Sequence, residues 1–285
     1  NFRWYMSTYY SVNLNKVQTD DARNYNLNDY LNGTAVVSGQ PISTFYSYKF
    51  LGLNPQNGAP MFDDWEDRWH LLQGKTLDEV VPMILVNSGT RDPKFSGDLN
   101  NTFTYKNWSL SLNFSYSLGS KVRLFEMYGP IINGISAAAN VREEFLDRWQ
   151  VPGDEKYTVY PLIISPSSPD YEHYRLHYSA PQRAVGPNSG VPAFANNVWQ
   201  MYDDSDLRVV SGNYLKLQSL SFSYRLNDRL LRKTPFTQLS ISFNTHNCFT
   251  ISAKELRGQD PSQAGFADAG LSIRPSYTIG LNVSF

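Results

Sequence analysis

The chain of 285 residues has little of three things: cysteine, net charge and long apolar runs. Its single cysteine, Cys248, excludes an internal disulfide framework and a cysteine-based zinc site. A formal net charge of −1 provides no basic surface for nucleic acid. No apolar run approaches the roughly 18 residues of a membrane-spanning helix, and the mean hydropathy is −0.42. A membrane β-barrel is still allowed, because alternating strands average to a hydropathy typical of soluble chains.

The first residues also lack the features of a secretion signal. Asn1-Phe2-Arg3-Trp4 has no initiating methionine, no basic leader and no apolar core. The segment instead has the alternating pattern of a strand interior. This pattern predicts that the chain is a fragment of a longer protein.

Aromatic residues make up 14% of the chain and charged residues only 18%, and the last ten residues form the clearest pattern. Small polar residues occupy one parity there, and the other parity holds Tyr277, Ile279, Leu281, Val283 and Phe285. Because strand side chains alternate with period two, the segment predicts a strand with one apolar and one polar face. The apolar face would meet a core in a soluble sandwich. In an outer-membrane barrel it would meet lipid, and the polar face would line the lumen.

The same alternation predicts strands in six other places, which are residues 2–14, 42–51, 99–105, 108–118, 214–226 and 239–244. A bend at Lys106-Asn107 joins two of them into a hairpin, and Ser and Asn fill one face of its second strand. Soluble sheets carry Lys and Glu on such faces, so this composition favours a water-filled lumen. In residues 214–226 the apolar parity changes near Gln218-Ser219. The change predicts either a bulge or a strand whose first part lies outside the bilayer.

Segments without a sustained period are predicted to be loops, and they cover residues 18–40, 61–94, 124–204 and 250–273. A short helix is predicted inside the third, at residues 137–149. A connection this long argues against a compact soluble domain, whereas the outer loops of barrels are long. If the C-terminus lies in the periplasm, the turns at 106–107 and 227–235 would also be periplasmic. The segments 124–204 and 250–273 would then be extracellular. The orientation of the chain before residue 95 is left open.

Several motifs run in order along nearly the whole chain: Asn13 to Val17, Gly52 to Pro60, Asp92 to Phe95 leading into Asn101 to Asn107, Arg148 to Asp154, Ser205-Asp206 before Gly212 to Leu217, Asn247 to Thr250, Gly258 to Pro261, and Gly280 to Phe285. Together they resemble the C-terminal part of SusC/RagA-type TonB-dependent outer-membrane transporters. No single motif is specific, but the ordered set is. Departures from the family pattern occur at Asn213, at Asn227 and at His246-Asn247-Cys248, and none of them touches a known chemical site.

The resemblance implies an all-β fold, an antiparallel transmembrane β-barrel of about 22 strands with long extracellular loops. Residues 1–285 would be the C-terminal portion of the barrel domain, with the plug domain and the TonB box not present in this chain. The family imports glycans or peptides across the outer membrane of Gram-negative bacteria, without being an enzyme. The implied partners are a SusD-like surface lipoprotein, the TonB complex through the missing N-terminal part, outer-membrane lipid and an oligosaccharide or oligopeptide, but no nucleic acid.

The last strand also resembles the signal that the barrel-assembly machinery recognises. The residues of that signal would be Tyr277, Ile279, Leu281, Val283 and Phe285. No phosphate-binding loop, nucleophile elbow or zinc-protease signature occurs in the sequence. The sequence therefore predicts no catalytic residue, no metal site and no cofactor.

Aromatic residues in the predicted loops are the candidates for contact with substrate or with the partner lipoprotein. They are Trp65, Trp69, Trp149, Tyr171, Tyr174, Tyr178 and Trp199. Exposed rings can stack on sugars or cover the side chains of a peptide. The alternative is that these residues pack the long loops together or form the interface with the lipoprotein.

Two other functions stay open from the residues alone. The chain could form a self-contained small outer-membrane barrel that serves as a porin or adhesin, because about eight strands can close a barrel. It could also be a soluble, β-rich carbohydrate-binding module. The many strands lined by Ser and Asn argue against the soluble module.

Overall fold

The computed structural model describes residues 1–18, 25–63, 65–131, 135, 140–164, 166–176, 194, 197–262 and 274–285. Its strands are β1 (Phe2–Val12), β2 (Thr44–Tyr48), β3 (Phe50–Leu53), β4 (Pro60–Phe62), β5 (Leu85–Thr90), β6 (Phe95–Tyr105), β7 (Trp108–Leu118), β8 (Lys121–Arg123), β9 (Val209–Ser211), β10 (Tyr214–Arg225), β11 (Gln238–Ser252) and β12 (Ser276–Ser284). Its α-helices are α1 (Leu27–Asn32), α2 (Leu77–Ile84), α3 (Tyr171–Leu176), α4 (Val198–Asp203) and α5 (Asp228–Leu231). Short 3-10 helices span Glu66–Leu71, Gly129–Ile131, Glu143–Asp147, Asp154–Lys156, Asp206–Arg208 and Lys254–Leu256. No helix within the described ranges is long and apolar enough to cross a membrane.

Six long strands form one sheet in the order β1-β6-β7-β10-β11-β12, and every pairing in it is antiparallel. Successive connections therefore alternate between the two ends of the strands. The turns 106–107 and 226–237 lie at one end, which we call the short-turn end. The connections 13–94, 119–213 and 253–275 all lie at the other, the long-loop end. This arrangement agrees with the predicted grouping of turns and loops, and it places residues 13–94 with the other long connections.

The strand register brings like residues together across the whole sheet. One row contains Trp4, Phe103, Leu110, Phe222, Phe243 and Ile279. The next row, on the opposite face, contains Tyr5, Thr102, Ser111, Ser221, Asn244 and Thr278. A slip of one residue in any pairing would mix the two faces. The predicted division into an apolar and a polar face is thus confirmed over these strands.

The predicted irregularity in the fourth strand of the sheet is a β-bulge. The register of β10 shifts between Leu217 and Ser219 against both of its neighbours. Against β7, the extra residue is Gln218, so Leu217 and Leu220 pair with Phe114 and Leu112 on one face. The bulge therefore keeps the apolar residues on one face although their sequence parity changes.

The aromatic strand predicted at residues 42–51 is broken in two and lies outside the six-stranded sheet. β2 pairs with β5, and β3 pairs with β4. The prediction was one alternating strand with a single apolar face, whereas all five residues of β2 are buried. In a strand that is buried on both faces, apolar and polar residues need not alternate. The two-residue period therefore did not predict the environment of β2.

Three of the predicted loops contain helices that the sequence pattern did not reveal, and α3 and α4 lie within the predicted loop 124–204. α1 lies within residues 18–40, and α2 lies within residues 61–94. Each begins with a capping box, formed by Asn26 with Asp29 in α1 and by Thr76 with Glu79 in α2. These helices have only six and eight residues, so no sustained helical period can appear.

The helix predicted at residues 137–149 is corrected to a shorter element. Within the described part of that segment, a single 3-10 turn at Glu143–Asp147 is present. Residues 137–139 lie outside the described residues. Arg142 and Arg148 have extended backbone, so the helical conformation ends on both sides of this turn.

Candidate functional site

The two longest connections pack against each other at the long-loop end in an apolar core, which we call the loop core. Its fully buried members come from both connections: Leu31, Tyr48, Leu72, Val80 and Val81 from residues 13–94, and Met127, Tyr128, Phe194, Met201 and Tyr202 from residues 119–213. Ring pairs join the two, as for Phe50 and Tyr202, whose centroids are 5.6 Å apart. The described parts of the two longest connections therefore form a packed layer at the end of the sheet.

Asp203, at the end of α4, holds a neighbouring segment of this layer in place. The backbone N–H groups of Met127, Tyr128 and Gly129 donate to its carboxylate, at distances of 2.9, 2.8 and 2.9 Å. Burial raises the pKa of Asp203, and the Arg208 guanidinium and the three backbone donors oppose that rise. Because its two oxygens accept three backbone hydrogen bonds, the carboxylate acts as a structural anchor.

Arg123, at the end of β8, links the two connections through its guanidinium. Its Nη1 lies 3.0 Å from Asp204 Oδ1 and donates to the Leu31 carbonyl at 2.8 Å. Its Nη2 donates to the Tyr46 carbonyl at 2.7 Å and to the Ser47 hydroxyl at 3.0 Å. Burial lowers the pKa of Arg123 and raises that of Asp204, and the attraction between the two opposes both shifts. Buried and hydrogen-bonded in this way, the pair ties the loops together.

Most of the aromatic residues predicted to contact substrate or partner lie in or against the loop core. Trp149, Tyr171 and Trp199 are buried, with exposed fractions of 4%, 7% and 4%, whereas Trp65, Trp69 and Tyr174 are partly buried and pack on the outside of the core. Tyr178 lies outside the described residues. The structure thus brings five of the seven candidates to the loop core, and Trp149 is buried against Gly58.

Buried rings have little surface left for a ligand. The Trp149 ring covers Gly58 so closely that a Cβ on that glycine would lie 2.3 Å from the ring. Trp199 donates its Nε1–H to the Leu162 carbonyl at 3.0 Å. These contacts match the packing alternative. A role in substrate or partner contact stays a prediction for the seven residues.

A cavity of about 400 Å³ lies where the first long connection meets the polar face of the sheet, and we call it the junction cavity. Ser117 and Tyr214, which are cross-strand partners on β7 and β10, line it from the sheet. Ser43, Arg91 and Asp92 line it from the connection. The sequence did not single out Arg91, because one arginine ahead of a strand carries no motif.

Aromatic rings gather at the short-turn end of the apolar face. Tyr105 and Trp108 are cross-strand partners next to the hairpin turn. The Trp108 ring centroid lies 5.2 Å from that of Phe222 and 4.2 Å from that of Tyr224. A band of aromatic residues at one end of the strands is typical of the girdle at a membrane interface.

The predicted assembly signal lies on the apolar face of β12 and at the residue after it. Its members are Tyr277, Ile279, Leu281, Val283 and Phe285. Ile279 and Phe285 are 79% and 85% exposed. The Phe285 ring meets the ring of Phe236, with centroids 5.3 Å apart, at the short-turn end. The part these residues play in barrel assembly stays a prediction.

Comparison with known proteins gives consistent matches at low sequence identity, although no family model matches the chain. The chain is 23% identical over 269 residues to a protein of Formosa agariphila named TonB-dependent receptor P3. The alignment covers 87% of this chain and 22% of that protein. Among solved structures, it is similar to a chain of the RagAB peptide transporter, with a TM-score of 0.61 and 16% identity. A structure of the RagAB peptide importer in a closed-closed state gives a TM-score of 0.63 and 15% identity.

Both structural matches cover 100% of this chain and 27% of the other chain. The chain therefore spans about a quarter of the length of the proteins it matches. These relatives are named as a receptor and as transporters, and not as enzymes. In sequence and in fold, the chain is similar to part of a SusC/RagA-type TonB-dependent transporter, as its ordered motifs predicted.

Proposed function

We propose that this chain forms part of the barrel of a TonB-dependent importer in the outer membrane of a Gram-negative bacterium. The observation that carries the proposal is the pairing of like residues in rows across six strands, with apolar rows on one face and Ser, Thr and Asn rows on the other. A barrel wall between lipid and a water-filled lumen needs this division. The large exposed apolar side chains of the sheet would then contact lipid.

Residues 1–285 are proposed to be the C-terminal portion of a barrel of about 22 strands. The plug and the TonB box would belong to the rest of a longer protein, which the 22% and 27% shares of the relatives' length support. Within the described residues, β1 and β12 each pair with one strand of the sheet. Their outer edges would pair with the other strands of the barrel, because an unpaired edge is not stable in lipid.

The cargo is proposed to be a glycan or a peptide that enters with the help of a SusD-like surface lipoprotein. The long-loop end would face outward, and the ordered loop core would present a defined surface to the lipoprotein. Energy would come from TonB through the rest of the protein. A self-contained small barrel and a soluble carbohydrate-binding module are not favoured, since similarity to receptors and importers runs over 87% to 100% of the chain.

Deletion of the parent gene tests the proposal. The source bacterium would be supplied with a panel of oligosaccharides and oligopeptides, and uptake of each would be measured with and without a protonophore. We expect the deletion to abolish uptake of at least one cargo whose uptake the protonophore also abolishes, and the complete gene to restore it. Unchanged uptake across the panel, or a complete gene that encodes only these 285 residues, would contradict the proposal.

A further inference from the structure

Two arginines approach one buried ring beside the junction cavity, and they differ in how their charge is balanced. The Cζ atoms of Arg91 and Arg123 lie 5.5 Å and 5.3 Å from the ring centroid of Phe45, which is fully buried. Each cation is attracted to the ring face, but the two repel each other. Arg123 has Asp204 as its counter-charge.

Arg91 has no counter-charge of its own in the part of the chain that is described. No ion pair joins it to a carboxylate there, and its Nε has no hydrogen-bond partner. Burial, and then the charge of Arg123, lower the pKa of Arg91, yet an arginine side chain stays protonated in proteins. A partly buried cation without an anion is costly, and an incoming anion would relieve that cost.

The surroundings of Arg91 suit an oxyanion. Hydroxyl groups of Ser117, Ser120 and Tyr214 line the same cavity and can donate hydrogen bonds. Asp92 also lines it, but its carboxylate accepts a hydrogen bond from the Ser43 hydroxyl, which directs one of its oxygens to that partner. The cavity volume of about 400 Å³ is large enough for a sugar unit or an amino-acid residue.

We propose that the junction cavity binds a carboxylate group of the cargo, with Arg91 as its counter-charge. The inference rests on the proposed import function and names the chemistry of the cargo. A guanidinium binds a carboxylate through two parallel N–H···O bonds, which a neutral amide or ester cannot match. The carboxylate comes from a peptide or from an acidic sugar, and the site lies where cargo passes from the loops to the polar face.

Binding of matched probes to the purified full-length protein tests the proposal. One pair is tetra-alanine and its C-terminal amide, and the other is trigalacturonic acid and its methyl ester. We expect the wild-type protein to bind the acid of one pair about tenfold more tightly than its neutral partner. Arg91→Gln should remove that preference, and Arg91→Lys should keep part of it. The pair that shows the preference identifies the source of the carboxylate.

Arg229→Gln is the matched control, because Arg229 is exposed in α5 at the opposite end of the sheet and the charge change is the same. The control should keep the wild-type preference. Equal affinities for acid and neutral probes in the wild type, no binding of either acid, or an unchanged preference in Arg91→Gln would overturn the proposal. So would equal loss of acid and neutral binding, since that result indicates only a structural role.

The two proposals fail in different ways. Protonophore-sensitive uptake by wild-type cells tests the import function without reference to Arg91. If that uptake is present while the probes show no acid preference, the carboxylate site is wrong and the import function stands. If that uptake is absent, the import function is wrong, and the binding data alone decide the site.

Discussion

At the scale of single residues, the contact between Gly58 and Trp149 shows how closely the loop core is packed. The φ of Gly58 is +66°, and a Cβ there would lie 2.3 Å from two atoms of the Trp149 ring. The Trp149 backbone N–H donates to the Tyr160 carbonyl at 2.9 Å, and its Nε1–H donates to Glu155 at 3.3 Å. Because the backbone and the ring nitrogen of Trp149 are both hydrogen-bonded, the ring has little freedom to move away from a new methyl group.

Gly58→Ala is expected to destabilise the loop core by about 2–5 kcal/mol, through an unfavourable left-handed backbone and overpacking against the ring. Gly74→Ala is the matched control: Gly74 has a φ of +74°, but nothing lies within 4 Å of a Cβ there. The control should cost only about 1–2 kcal/mol. Hydrogen exchange in residues 140–164 of the full-length protein measures the difference in stability. Equal protection in both variants would show that the contact with the Trp149 ring does not add to the cost of the substitution.

A second residue-scale prediction concerns the buried pair of Lys216 and Asp260. Nζ lies 2.9 Å from Oδ2, and the Ser262 hydroxyl and backbone N–H also donate to this carboxylate. Lys216→Met should destabilise the segment around Asp260 by about 3–5 kcal/mol, because it leaves a buried carboxylate unpaired. Adding Asp260→Leu to Lys216→Met should restore most of the lost stability. Proteolysis after residue 252 reports the change, and a double variant no better than the single one would count against the pairing.

The same pair makes a signed pH prediction. Burial alone would raise the pKa of Asp260, but hydrogen bonds from Ser262 and Lys216 and the charge of Lys216 lower it. A folded pKa below the unfolded value of about 3.9 means that the stabilisation is complete above that value and is lost as the pH falls through the folded pKa. The proteolytic difference between wild type and Lys216→Met should therefore shrink only in acid.

Single-residue roles were the hardest to predict from the sequence. The aromatic character of Trp149 and Trp199 was evident, but their burial depends on partners such as Gly58, far away in the chain. Arg91 carries no local signal, because its proposed role depends on the lack of a counter-charge among the described residues around Phe45. Such properties arise from tertiary packing, which no local pattern contains.

At the scale of elements, the long strands of the sheet were predictable and the short elements of the loops were not. The strands of the six-stranded sheet alternate over nine to fifteen residues, so period two stands out, and even the bulge at Gln218 shows as a change of parity. α1 and α2 are too short for a period, and β2 is buried on both faces. Alternation of apolar and polar residues indicates a strand that is buried on one face only. It cannot reveal a strand that is buried on both faces.

Neighbouring residues of β7 give an element-scale prediction. Leu112→Arg puts a charge on the apolar face near the middle of the strand, whereas Ser111→Arg puts the same side chain on the polar face. If the apolar face meets lipid, the first substitution should cost about 2–4 kcal/mol near the bilayer centre and the second much less. Folding into lipid vesicles, followed by heat-dependent gel mobility, measures the difference. Equal losses for the two variants would contradict the assignment of the faces.

At the scale of the whole molecule, the described residues leave two surfaces uncovered. One is the exposed apolar face of the sheet, and the other is the outer edges of β1 and β12. Both are accounted for if the chain is one part of a larger barrel in lipid. The terminal strand then has two functions, since it closes the barrel and carries the aromatic end residue.

Removal of Phe285 from the full-length protein is expected to lower the amount inserted in the outer membrane without changing cargo affinity per inserted molecule. The residue lies at the short-turn end, against Phe236 and away from the junction cavity. Surface quantification and binding on the same cells separate the two effects. Normal surface levels with lost binding would refute the role in assembly.

Cysteine labelling of the full-length protein in intact cells tests the central claim most directly. In a Cys248→Ser background, Tyr157→Cys places a thiol on an exposed residue of the long-loop end, and Lys233→Cys places one at the short-turn end. We expect a membrane-impermeant maleimide to label Tyr157→Cys in intact cells, and Lys233→Cys only after the outer membrane is permeabilised. Equal labelling of both thiols in intact cells would contradict a sheet that spans the membrane with its long loops outside.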